Sequence, residues 1–181
     1  VQQQTVSSKP HVVLVGNSHL NDIRADKLSK GLQTESKKAG TIKEAEEVVN
    51  GLKKPAAVVL QVITNEARGN SSIPDIVNRM KTLVANTKCK LPTTKIFVSQ
   101  APCNFNNSRL SARISAINAS LAAEFYKGDV ICVSNDSISP FNFQRDEIHL
   151  TKYGTSNLAF NIKCELEHYF KIRSEHRYKA W

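Results

Sequence analysis

Four short apolar runs constrain this chain most. His11–Val15, Ala56–Val62, Lys95–Ser99 and Asp129–Val133 are nearly continuous in apolar residues rather than alternating. Strands of that kind must be buried on both faces. The segments between them carry apolar residues at helical spacing. Ile73, Ile76, Val77, Met80, Leu83 and Val84 form one stripe, Leu110, Ile114, Ile117 and Leu121 another, and Leu158, Ile162, Leu166 and Tyr169 a third. Thr41–Leu52 predicts a helix, with Thr41 and Glu44 at capping-box spacing. Asn21–Lys30 reads as a helix with Ile23 and Leu28 inward, and a short, poorly apolar strand is expected over Leu32–Ser36. Strands alternating with helices predict a three-layer α/β/α sandwich around a five-stranded parallel sheet. In such sheets ligands bind outside the carboxyl ends of the strands.

Three motifs fall at that edge. The first strand ends in Gly16-Asn17-Ser18-His19, a turn that presents the Ser18 hydroxyl. The second apolar run, Ala56–Val62, leads into Thr64-Asn65-Glu66. Asp146-Glu147-Ile148-His149 lies in the loop before the last helix. Ser, His and Asp are what a hydrolase needs to make a hydroxyl nucleophilic: His takes the Ser proton, and Asp fixes the His tautomer. The Asn65 side-chain amide suits a developing oxyanion. Gly40, between a polar segment and the Thr41 helix, lets a backbone N–H approach a substrate oxygen closely. Each residue also has a structural reading. Ser18 fits a helix N-cap, Asn65 a turn cap, and Gly40 an ordinary loop. The case for chemistry rests on the set and its placement.

The order Gly-x-Ser, Gly, Asn, Asp-x-x-His resembles the SGNH (GDSL-type) hydrolases, from about Val12 to the final helix. The resemblance implies their flavodoxin-like topology, with Ser18 as nucleophile and Asp146 and His149 completing the triad. It implies an oxyanion hole from the amides of Ser18 and Gly40 and the side chain of Asn65. Two departures stand out. Asn17 replaces the family's usual Asp, and Ile63-Thr64-Asn65-Glu66 stands where Gly-Thr-Asn-Asp is usual. Within the family, the basic charge and the segment Asp146 to Gly154 look most like the esterase domain of non-LTR retrotransposon first-open-reading-frame proteins.

The 181 residues fit one domain. Its expected bounds are 11–172, between a flexible 1–10 segment and a basic 173–181 tail. No apolar run approaches a membrane span or a secretory leader, so an intracellular, cytoplasmic protein is expected. Cys89, Cys103, Cys132 and Cys164 lack ligand spacing, so free thiols are expected and neither metal nor cofactor. The irregular stretches 68–72, 100–109 and 134–148 predict a pocket rim, with Phe105, Phe141 and Phe143 as an apolar wall or as loop anchors.

The chain carries 25 Lys and Arg against 16 Asp and Glu, a net charge of +9. A basic face suits nucleic acid or an anionic membrane surface, although no single block is dense enough to be a binding arm. The reading that follows is a serine esterase hydrolysing small acyl esters or lipids through Ser18, His149 and Asp146. Its rivals are a non-catalytic RNA-binding SGNH-like domain of the Oskar type and a carbohydrate deacetylase. The oligomeric state is not legible in the sequence.

Overall fold

A computed structural model describes residues 8–103 and 107–173. The five strands are β1 (His11–Gly16), β2 (Gln33–Lys38), β3 (Ala57–Gln61), β4 (Lys95–Ser99) and β5 (Val130–Val133). They form one parallel sheet in the order β2-β1-β3-β4-β5. The helices are α1 (Ile42–Asn50), α2 (Ile63–Arg68), α3 (Ile73–Lys90), α4 (Ser108–Phe125) and α5 (Lys152–Tyr169).

The apolar runs are buried because alternate residues enter two separate cores. Val13, Val15, Val58, Leu60, Ile96 and Val98 pack on α1, α3 and α4. Val12, Leu14, Val59 and Phe97 face the other way, onto Leu158, Ile162 and Leu166 of α5. Every residue of β3 is buried, as a strand covered on both sides requires. β2 is an edge strand and carries polar residues, including Glu35, Lys37 and Lys38.

Two expectations need correction. The segment 21–30 is not an α-helix. It holds only 3-10 turns, at Ser18–Leu20 and Ala25–Lys27. Ile23 and Leu28 are buried as expected, but their spacing of five residues does not put them on one helical face. The second correction concerns α2, a single short helix that carries Asn65 where a strand end running into a loop was expected. Of the two roles expected for the loop aromatics, wall or loop anchor, Phe143 takes the anchor. Phe143 is buried and bridges to Leu150, and Phe141 is 91% exposed on a 3-10 turn. Phe105 and the basic tail from 174 onward lie outside the described residues.

The four cysteines are free thiols. Burial pushes the Cys132 and Cys164 thiols up from their ordinary value, which makes poor nucleophiles of them.

Candidate active site

The turn after β1 is built so that Ser18 is not spent on structure. Asn17, not Ser18, is the cap. Its Oδ1 accepts the His19 N–H at 3.1 Å. The Ser18 side chain has no hydrogen-bond partner among the described residues and is partly exposed. Asn17 N–H also donates to Gln61 O at 3.1 Å, and Gly16 O accepts the Ala39 N–H at 2.8 Å. Gly16 is needed here by close approach. A Cβ at that position would sit 2.5 Å from Gln61 O and 2.7 Å from Leu20 Cδ1. β1 and β3 together therefore fix where the Ser18 turn emerges.

His149 arrives from the loop between β5 and α5. Its Nδ1 lies 2.6 Å from Asp146 Oδ2. Asp146 Oδ1 accepts the backbone N–H groups of Ile148 and His149, each at 3.0 Å. The His149 ring, and then these two amides, hold the Asp146 carboxyl well below the usual carboxylate range. A carboxylate on Nδ1 leaves the other ring nitrogen, Nε2, to act as a base. Ser18 and His149 line one cavity of about 160 Å³, together with Asn21, Asp22 and Gln144. No hydrogen bond joins Ser18 to the His149 ring among the described residues. Such bonds are commonly long without substrate and tighten in the reactive complex.

Gly40 and Asn65 are brought together, but with each other. Asn65 Nδ2 donates to Gly40 O at 2.9 Å. A carboxamide has two N–H groups, so one remains. The Gly40 N–H donates to the Glu44 carboxylate. Glu44 thus completes its cap on Gly40 rather than on Thr41, while Thr41 Oγ1 accepts the Glu44 N–H at 3.2 Å. While that bond stands, the Gly40 amide is not available to a substrate oxygen. The Ser18 amide has no acceptor among the described residues.

Two positioning residues were not singled out by sequence reasoning. His19 Nε2 donates to Ile148 O at 2.8 Å, which ties the Ser18 turn to the His149 loop. Only a donor satisfies a carbonyl, so Nε2 carries the proton and the buried Nδ1 is left without a partner. Burial lowers the His19 pKa below its ordinary 6.5, and the charges of His149 and Arg68 act in the same direction. The signal was the adjacency of His19 to Ser18, although adjacency alone does not reveal a partner 129 residues away. The second residue is Glu66, seen in the sequence only as a departure. It is buried, accepts Ile42 N–H at 2.9 Å and pairs with Arg79 at 2.7 Å. It locks the start of α1, and hence Gly40, to α2 and α3.

Known structures share this architecture. A member of the lipolytic G-D-S-L family from Veillonella parvula superposes with a TM-score of 0.72 at 9% identity, over 90% of this chain and 99% of that one. A lipase/acylhydrolase from Enterococcus faecalis gives 0.70 at 14%, over 88% and 96%. The fold is that of the GDSL-type acylhydrolases. The C-terminal catalytic domain of Streptococcus pneumoniae peptidoglycan O-acetyltransferase A, bearing a methylsulfonyl adduct, gives 0.70 at 16%, over 90% and 95%. At these identities the likeness is one of fold. No family model and no curated protein matches the chain. The acylhydrolase fold sets Ser18, Asn65 and the His149 loop at the carboxyl edge of the sheet, where α/β sheets bind ligands.

Proposed function

We propose that this domain is an SGNH-type serine esterase acting on short-chain acyl or acetyl esters. One observation carries the reading. A Ser18 hydroxyl relieved of capping by Asn17 shares a cavity with a His149 ring whose Nδ1 is held by Asp146. Ser18 Oγ adds to the ester carbonyl as its proton passes to His149 Nε2. Asp146 keeps the ring oriented and stabilises it when charged. The oxyanion takes the Ser18 N–H and the second N–H of Asn65, and the Gly40 amide joins them when Glu44 moves aside. Collapse expels the alcohol with the proton from His149. Water then repeats the steps on the acyl-enzyme, and no metal or cofactor is called for.

The acylhydrolase and the acetyltransferase that share the fold support acyl chemistry here. The resemblance to retrotransposon first-open-reading-frame esterase domains supports reading it as one domain of such a protein. The test is a series of nitrophenyl esters of increasing acyl length, run on wild type and Ser18→Ala, with sulfonyl fluoride labelling at Ser18. Equal turnover by the two proteins rejects the assignment.

A second reading has an observation of its own. Arg24, Lys27, Lys30, Lys152, Lys163 and Arg173 line two adjoining cavities between the 25–27 turn and α5. Such convergence suits nucleic acid or an anionic membrane. RNA binding that weakens steeply with salt, and is lost on charge reversal there, supports the nucleic-acid role.

A further inference from the structure

A cavity of about 460 Å³ lies beyond α2, lined by Arg68, Arg109, Arg113, Asn70, Asn107 and Leu110, with the backbone of 67–69. Its three arginines are not alike. Arg113 is spent on structure. Its Nε donates to Ala67 O at 2.7 Å, and its Nη2 donates to Gly69 O and Ser71 O. It thereby clamps the α2–α3 connection against α4. Arg68 and Arg109 are exposed, and neither side chain has a hydrogen bond or ion pair among the described residues.

What sets the two apart is their surroundings. Three other arginine or lysine side chains have a carboxylate beside them: Arg79 on Glu66 at 2.7 Å, Lys81 on Glu124 at 2.9 Å, Arg24 on Asp26 at 3.2 Å. The arginine cavity is lined by no Asp or Glu. Guanidinium groups converging on one cavity repel each other unless an anion sits between them, and their planar forks match carboxylate and phosphate oxygens. Two asparagine amides add neutral donors to the same lining.

The cavity begins one helical turn along α2 from Asn65. Asn65 and Arg68 are three residues apart on α2 and both exposed, so they share a face of that helix. Their Cβ atoms are separated by roughly 5–6 Å. The Arg68 charge also reaches His19, the neighbour of Ser18. No residue lining the His149 cavity lines this one. The leaving alcohol must lie at His149 to be protonated, so a group extending past Asn65 belongs to the acyl part.

We infer that the arginine cavity is a specificity site for an anionic group at the far end of the acyl chain, so that the preferred substrates are monoesters of short dicarboxylic acids or acyl groups bearing a phosphate. The inference rests on the esterase reading for its place in the reaction, but not for the binding itself. Arg68 and Arg109 would hold the anion, with Arg113 positioning the wall.

The test compares nitrophenyl monoesters of glutarate with nitrophenyl valerate, which has the same acyl length without the charge. The expected ratio of kcat/KM favours the anionic ester by roughly 10- to 100-fold, since hydrogen bonds to charged groups are the stronger kind. Arg109→Gln and Arg68→Gln should collapse that ratio toward one, mostly through KM. Arg109→Lys should restore part of it. Lys53→Gln, a charge-matched change on an exposed loop, should leave it intact. A parallel arm carries the charge on the alcohol side, with butyryl glycerol phosphate against butyryl glycerol. Preference there, and not for glutarate esters, overturns the acyl-side placement. Turnover of neutral esters without any preference for charge overturns the inference and leaves the esterase intact. Should every ester prove inert, glutarate and inorganic phosphate are titrated directly, with the Arg side-chain NMR signals followed. Saturable shifts lost in Arg109→Gln support the site, and their absence overturns it.

Discussion

Ser18 sits on a turn held by the sheet's own backbone, whereas His149 sits on an arm that is closed on itself by backbone bonds such as Gln144 N–H to His149 O at 2.7 Å, but whose ties to the sheet and to α5 run largely through side-chain amides. On the Ser18 side, Asn17 N–H donates to Gln61 O and Ala39 N–H to Gly16 O. Gly16 leaves no room between β1 and β3 for a side chain. On the His149 side, Asn135 Nδ2 donates to Ser99 Oγ at 3.0 Å and to Gln100 O at 2.6 Å. Asn161 of α5 donates to Asn135 Oδ1 at 3.0 Å. Further along, Asn142 Oδ1 accepts Ser139 N–H at 2.7 Å, and Gln144 Nε2 donates to Leu150 O at 2.9 Å. Gly154 lets α5 close on this arm, since a Cβ there would meet Asn142 O at 2.3 Å. Backbone anchoring depends on strand pairing and survives most substitutions. Anchoring through amides depends on a few named residues.

The largest effect should come from breaking the link between the two regions. Ser18→Ala and His149→Ala should each lower kcat by several orders of magnitude, and the double variant should be no worse than either. Groups that act as a unit are grossly non-additive. Thermal melting should hardly change, because neither side chain is buried in a core. Additive losses would show that the two do not work together. Asn65→Ala should follow, with kcat reduced by roughly 10²–10³ and KM little altered. A fall in KM affinity with kcat preserved would instead place Asn65 in ground-state binding.

The two anchoring modes should respond differently to one-residue changes. Gly16→Ala forces a methyl against Gln61 O, an overpacking that costs about 1–3 kcal/mol. For a domain of this size that lowers Tm by roughly 2–4 °C per kcal/mol. Sulfonyl fluoride labelling at Ser18 should slow little in molecules that remain folded. Asn135→Ala leaves Ser99 Oγ and the Asn161 amide each short of a partner, at a similar cost of about 1–3 kcal/mol. Here the loss should appear in kcat as well as in Tm, since the arm carrying His149 is freed. If both variants lose stability and activity in the same proportion, the distinction between the two regions fails.

The sheet was legible because burial on both faces writes itself as apolar runs. Lys95–Ser99 was read to the residue, and β2 was recovered despite its polar surface. The 21–30 segment misled because two apolar residues were enough to suggest a face but not to make one. α2 was missed because one helical turn after a buried strand looks like that strand's continuation. The candidate triad of Ser18, His149 and Asp146 was visible as motifs, since the chemistry proposed for it restricts the residue type. The engagement of Gly40 by Glu44 was not, because a capping box predicts that Glu44 turns back but not which amide it takes. His19 was hidden for a related reason. A hydrogen bond to a backbone carbonyl places no demand on the identity of Ile148.

His19 is also where the two regions meet, and it gives the smallest effect. Above pH 6.5 its ring is neutral whether the chain is folded or not, and it contributes nothing to pH dependence. As pH falls below 6.5, the unfolded chain takes up a proton that the folded ring resists, chiefly through burial, then through the nearby charges of His149 and Arg68. Stability should therefore decline with acidification, from the ordinary value of 6.5 down through the lowered folded value. Asp146 contributes in a separate, lower window, below the ordinary carboxylate value of 3.8, because its folded pKa is depressed. His19→Gln retains an N–H for Ile148 O and removes the titration. Its Tm should fall less between pH 6.5 and about 5 than that of wild type, with activity largely kept at neutral pH. Parallel Tm curves for the two proteins would mean that His19 does not carry this acid sensitivity. A loss of turnover in His19→Gln at neutral pH, with Tm unchanged, would show instead that the ring itself, and not merely its hydrogen bond, sets the position of the His149 arm.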